Sequence, residues 1–111
     1  MSYKVSYTSR FEKEAKRLAK KYPSIEADIL KLVELLKTDP KQGTPLGKNL
    51  YKVRLGIESK GHGKSGGARV ITYVIFSRNT IYLTSIFDKS EQENISTLVL
   101  LKLLKDEGLI S

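Results

Sequence analysis

Between residues 50 and 87 the chain carries three β-patterned segments in succession with no helical pattern between them, and this order constrains the fold more than any other feature. Strands that follow one another this closely pair as an antiparallel meander, because parallel neighbours need a crossover of a dozen or more residues, usually a helix. Leu50 to Ile57 alternates, with Tyr51, Val53, Leu55 and Ile57 on one side and Lys52 and Arg54 on the other. This predicts a half-buried strand that carries two cations outward. Ala68 to Phe76 is dense in β-branched and aromatic residues, and after a turn at Ser77 to Asn79 the segment Thr80 to Phe87 has the same character.

Upstream of the meander, Tyr3 to Tyr7 alternates and reads as a short first strand. Ser9-Arg10-Phe11-Glu12 has the spacing of a capping box. Beyond it Phe11, Ala15, Leu18, Ala19 and Tyr22 fall on one helical face, opposite Lys13, Lys16, Arg17 and Lys20. Pro23-Ser24 ends that helix and opens another, in which Ile25, Ile29, Leu32, Val33 and Leu36 recur at helical spacing until Asp39-Pro40. The pair forms an antiparallel helical hairpin. Residues 40–49, rich in turn formers, read as a connecting loop. Ser90-Glu91-Gln92-Glu93 is a second capping box, and its helix runs through Leu104 to a stop at Gly108. Five leucines and a valine between positions 98 and 104 cannot all face one core, so this helix is either sandwiched or keeps a surface for a partner. The predicted fold is α+β, one domain over residues 1–111. An N-terminal strand and a helical hairpin pack on a small antiparallel sheet, in the order β-α-α-β-β-β-α.

Composition removes several chemistries. The absence of cysteine excludes a disulfide framework, a Cys-based zinc site and a thiol nucleophile, and a single histidine, His62, excludes a ribonuclease of the two-histidine type. No metal site and no cofactor are expected. No apolar run approaches the roughly 20 residues of a membrane span, and the opening Met-Ser-Tyr-Lys-Val lacks a signal peptide's apolar segment, so a cytoplasmic protein away from membranes is expected.

The formal charge of +8 is concentrated: residues 1–22 and residues 48–69 each carry a net +5. Two local surpluses point to a polyanionic partner, either nucleic acid or an acidic protein surface. The segment Lys60 to Arg69 contains Gly63-Lys64-Ser65, but Glu58 stands where a phosphate-binding loop needs its first glycine, and a strand follows where that motif needs a helix. What remains is a glycine-lined basic connection in which Lys60 and Lys64 supply charge. Arg69 and Tyr73 share one face of their strand, and Lys52, Arg54 and Lys89 can converge on it, a set suited to holding an RNA backbone and stacking a base. Alternatively Arg69 pairs with a carboxylate such as Glu58 or Asp88. Asp88 and Glu91 are close in sequence, but Glu91 is better used at the helix start, so a nuclease built on this chain would rely on Lys and Arg.

The order of elements, the strand Leu50-Tyr51-Lys52-Val53-Arg54, the stretch Gly63-Lys64-Ser65-Gly66-Gly67-Ala68-Arg69-Val70-Ile71 and the closing Phe87-Asp88-Lys89-Ser90-Glu91 together resemble the RelE-type toxins of bacterial toxin-antitoxin pairs, in particular the HigB-like branch. The resemblance spans essentially the whole chain. It implies a ribosome-dependent, metal-independent endoribonuclease that cuts messenger RNA and is held inactive by a cognate antitoxin. By the same resemblance Arg69 matches the arginine set against the scissile phosphate, Arg54 and Lys52 the basic positions of the preceding strand, and Lys89 the basic residue after the last strand. The C-terminal tyrosine or histidine that some members of the family carry has no counterpart here. Arg54, Arg69 and Lys89 are thus the expected catalytic residues, with Lys89 the candidate for proton transfer. Lys52, Lys60, Lys64, Tyr73 and Phe87 are the expected substrate-binding residues. Two other readings share the scaffold: a ParE-type toxin directed at DNA gyrase, and a non-catalytic module that docks nucleic acid or protein.

Overall fold

Along the chain, β1 (Lys4–Tyr7), α1 (Ser9–Lys21), α2 (Ile25–Thr38), β2 (Thr44–Gly47), β3 (Leu50–Leu55), β4 (Ala68–Ile75), β5 (Thr80–Asp88) and α3 (Thr97–Asp106) follow one another, with 3-10 turns at Glu58–Lys60 and Phe76–Arg78. The computed structural model describes residues 2–60 and 67–111. One five-stranded sheet in the order β1-β5-β4-β3-β2 organises the molecule. The α+β class, the helical hairpin and the antiparallel β3-β4-β5 meander are as expected from the sequence.

The sheet departs from that expectation at both edges. Thr44–Gly47, read as loop, pairs antiparallel with β3, so the order is β-α-α-β-β-β-β-α. Its Thr-Pro-Leu-Gly sequence has turn composition because it is an edge strand, where proline is tolerated. At the other edge β1 joins β5 in parallel, which makes the sheet mixed. β1 stops opposite Leu83, and beyond it Glu14 of α1 accepts the Ile86 N–H at 3.2 Å and the Ser85 hydroxyl at 2.8 Å in place of a strand.

Both faces of the sheet are covered. On one, Val53, Leu55, Val70, Val74, Ile81, Leu83 and Ile86 pack against Phe11, Leu18, Ile25, Ile29, Leu32 and Leu36 of the hairpin. The spacing from Leu83 to Ile86 breaks strict alternation because the β4–β5 register shifts between Ile71 and Thr72, a bulge that keeps both side chains on the hairpin face. On the other face Leu50, Ile71 and Phe87 pack against Leu100 and Leu104 of α3. α3 is half-partnered: Leu98 is 80% exposed and Val99 42%.

Both predicted capping boxes are displaced by tertiary contacts. Thr8, one residue earlier than expected, caps α1 by accepting from the Phe11 N–H at 3.1 Å, while the Ser9 hydroxyl donates to Glu107 at 2.6 Å. Ser9 thereby ties α1 to the end of α3 and holds the Glu107 carboxyl below its ordinary range. The Ser90 hydroxyl donates to Asp88 at 2.8 Å, and α3 instead begins after Ser96, which accepts from the Val99 N–H at 3.2 Å. Glu91, assigned to a helix start, reaches Arg17 at 3.0 Å. Since Thr8 is buried and also donates to the Thr84 carbonyl at 3.0 Å, Thr8→Ala should cost about 2 kcal/mol, the upper end for a helix cap, read as a lowered midpoint in urea at unchanged slope.

Candidate functional site

Strand pairing builds the site. Arg54 of β3 lies directly opposite Arg69 of β4, and Arg69 lies opposite Phe87 of β5, so these three side chains share the face that α3 covers. α3 reaches only the part of that face occupied by Leu50, Ile71 and Phe87. Beyond its edge an open cleft of about 460 Å³ remains, lined by Thr44, Lys52, Arg54, Arg69, Lys89, Glu93 and Asn94.

Four cations line this cleft, and among the described residues none of them pairs with a carboxylate. Arg69 is 6% exposed and its guanidinium donates to the neighbouring Ala68 carbonyl at 3.2 Å. The ion pair of Arg69 with Glu58 or Asp88 that the sequence allowed does not form, because Glu58 faces Lys31 and Asp88 is taken by other groups. Burial, and next the adjacent Arg54, lower the Arg69 pKa from its ordinary value. Like charges placed directly opposite each other in a sheet destabilise the fold. A phosphate placed between the two charges would relieve that repulsion and accept from both planar guanidinium forks.

The other expected site residues are distributed as follows. Lys52 and Lys89 are half-buried and line the cleft with Arg54 and Arg69. Phe87 is 3% exposed beneath α3, and Tyr73 packs half-buried on the same apolar cluster. Tyr73 shares a face with Arg69 as expected, but sits opposite Leu50, roughly 13 Å along the strand from Arg69, and does not line the cleft. Lys60 is turned to the hairpin face, where its ammonium lies 3.1 Å from Asp88 Oδ1 and 5.4 Å from the centre of the Tyr22 ring. Its turn is fixed there by Asp28, which accepts from the Ser24 hydroxyl at 2.7 Å and the Glu58 N–H at 3.3 Å. Lys64 and His62 lie outside the described residues.

Sequence reasoning missed Thr44, Glu93 and Asn94. Thr44 was hidden in a turn-rich stretch, and Glu93 and Asn94 in a segment read as helix. It also missed the part played by Asp88. An aspartate directly after the apolar run Ile86-Phe87 was the available signal. Asp88 is fully buried and accepts from the Tyr22 hydroxyl at 2.7 Å, the Ser90 N–H at 2.9 Å, the Ser90 hydroxyl at 2.8 Å and Lys60 at 3.1 Å. Burial alone would raise its pKa. The hydrogen bonds from Tyr22, Ser90 and Lys60 outweigh that and hold it far below the usual carboxylate range.

Gly67 sets the spacing where β4 begins beside the end of β3. A Cβ there would run into the Leu55 carbonyl oxygen, a backbone atom at the end of β3. Gly67→Ala should therefore push β3 and β4 apart beside Arg54 and Arg69, costing roughly 1–3 kcal/mol in a urea melt.

Among the described residues no group of three His, Asp or Glu is placed to hold a metal ion, and no helix is long and apolar enough to cross a membrane. The molecule is thus a mixed sheet between a helical hairpin and one terminal helix, with a cationic cleft at the uncovered end. The model of the family described as the RelE toxin of the RelE / RelB toxin-antitoxin system matches residues 4–105, and the chain belongs to that family. Among solved structures it is similar to a double arginine-to-alanine mutant of the E. coli toxin RelE in the free state, with TM-score 0.64 and 19% identity over 96% of this chain and 98% of that one. The intact E. coli RelBE toxin-antitoxin complex gives TM-score 0.56 and 24% identity over 77% of this chain and 94% of that one. The isolated E. coli RelE toxin in its P21 form gives 0.54 and 19% over 95% of this chain and 98% of that one.

Proposed function

We propose that this toxin is a metal-independent endoribonuclease that acts in the cytoplasm on messenger RNA held by the ribosome, and so stops translation. The observation that carries this reading is the cleft of four cations without carboxylate partners among the described residues, with the buried Arg69 opposite Arg54 at its floor.

The chemistry that suits such a cleft is transesterification. A ribose 2′-hydroxyl loses its proton and attacks the adjacent phosphorus; the bond to the 5′-oxygen breaks, and that oxygen takes up a proton. The products are a 2′,3′-cyclic phosphate and a free 5′-hydroxyl. Arg54 and Arg69, fixed by strand pairing, stabilise the charge that builds on the phosphoryl oxygens, as preorganised donors do at developing oxyanions. Lys52 holds the flanking backbone, and Lys89 is the proton-transfer group. The ribosome supplies what the cleft lacks: Tyr73 and Phe87 are engaged under α3, so the messenger's bases are presented from outside.

A cognate antitoxin completes the system. The net +8 charge and the exposed Leu98 and Val99 of α3 suit a partner segment that is acidic and apolar-faced, and the complex formed by the E. coli RelE toxin is a precedent.

The reaction is tested by a messenger carrying a single 2′-deoxy residue at the mapped cut. Cleavage there should cease while neighbouring sites are unaffected. Undiminished cleavage at the deoxy residue would exclude 2′-hydroxyl attack.

A further inference from the structure

The buried carboxylate of Asp88 lies on the opposite side of the sheet from the cleft, yet the residue that follows it lines the cleft. Within β5, Phe87 faces α3 and Asp88 faces the hairpin, where it meets Tyr22 at the end of α1 and Lys60 of the 3-10 turn. The following residue, Lys89, returns to the cleft side, and its N–H donates to the Gly67 carbonyl at 3.2 Å. The Asp88 carbonyl accepts from the N–H groups of Glu91 and Gln92, both at 3.0 Å, which turns the chain so that Glu93 and Asn94 form the cleft wall. Glu91 fastens the same turn to α1 through Arg17 at 3.0 Å and Lys21 at 3.7 Å. Two cations of the basic N-terminal stretch are thus used to hold the wall.

We infer that Asp88 is a positioning residue: locked between Tyr22, Ser90 and Lys60, it sets the place of Lys89 and of the 89–94 wall from the far face of the sheet. This rests on the nuclease reading above, in which Lys89 moves the proton. Asp88 touches no substrate and acts only through the backbone that joins it to Lys89.

Asp88→Asn keeps the side chain's volume and removes its charge. On programmed ribosomes it should lower the single-turnover cleavage rate about tenfold or more, the scale of a displaced catalytic group, and leave the half-saturating ribosome concentration within about twofold. Placed in a Lys89→Ala background, the same substitution should cost far less than it does in the wild type, because the group whose place bears on the proton transfer is gone. A second full loss in that background would overturn the inference, since a residue that merely supports the fold gives additive losses. Should Asp88→Asn fail to fold, Tyr22→Phe, which removes one hydroxyl and keeps the ring, runs the same cycle with the same two outcomes. Hydrogen exchange gives a readout that needs no cleavage. Protection of the Lys89 amide should fall in Asp88→Asn while that of Val70 in β4 holds, and unchanged Lys89 protection would overturn the inference. Wild type that cuts nothing identifies a failure of the nuclease reading instead.

Discussion

Arg69→Met should yield a protein that is folded, at least as stable as the wild type, and nearly inactive. Arg69 is buried, faces Arg54 across the strand pair and has no carboxylate partner among the described residues, so its charge costs stability in the free protein. Replacing a buried ion pair by apolar side chains of similar volume is often neutral or stabilising by about 1–4 kcal/mol, and a buried charge with no partner has less attraction to lose. On the catalytic side, removing one preorganised donor from a developing oxyanion costs roughly 10²–10³ in rate. Thermal melts and single-turnover cleavage on the same preparation check both halves. Loss of activity accompanied by a lowered melting temperature would mean that Arg69 supports the fold and that its place in the chemistry is misread.

The opposite pattern is expected at Asp88. Asp88→Ala strands Lys60 and leaves the Tyr22 hydroxyl and two Ser90 donors without their acceptor. Removing one partner of a buried pair typically costs 3–5 kcal/mol; because Lys60 keeps some access to water, the lower end applies, about 3 kcal/mol. Asp88→Asn, which keeps the volume, should lose less, about 1–2 kcal/mol. The pH dependence follows from the sign of the shift. A carboxyl with a folded pKa below its unfolded value of about 3.9 binds more protons when unfolded, so its contribution is complete above that value and fades as pH falls below it toward the folded pKa. Urea melts should therefore show a constant gap between wild type and Asp88→Asn from pH 7 to about pH 5, narrowing below about pH 4. A gap that stays constant down to pH 2 would show that the Asp88 charge contributes nothing to stability.

The parts of this molecule that could be read from the sequence are those in which local pattern and tertiary need agree. Ile25, Ile29, Leu32 and Leu36 repeat at helical spacing because one face of α2 meets the sheet, and Lys52 and Arg54 alternate with Val53 and Leu55 because one face of β3 meets the hairpin. That same alternation puts Arg54 and Arg69 on one face, while their standing opposite each other is a matter of register that only the strand pairing reveals. The parts that escaped are set by partners distant in the chain. Ser9 has the spacing of a cap, but Glu107, 98 residues away, takes its hydroxyl, and Thr8 caps instead. Ser90 likewise has the spacing of a cap and is taken by Asp88, which delays α3 to Thr97 and frees Glu93 and Asn94 to form the cleft wall. Lys60 reads as one more cation of a basic loop, and only the fold shows that Asp88 holds it on the opposite face. Tyr73 reads as a stacking aromatic and Phe87 as a substrate contact because nothing local reveals that α3 will cover them.

The most direct test of the account is primer extension on a defined messenger in a reconstituted translation reaction, comparing the wild-type chain and Arg69→Ala, each with ribosomes and with ribosomes omitted. The predicted result is shortened extension products, each stopping at a new messenger 5′ end, that appear only with the wild type and only when ribosomes are present. A folded wild-type protein that leaves the messenger intact on translating ribosomes would contradict the nuclease reading and direct attention to gyrase or to binding without cleavage.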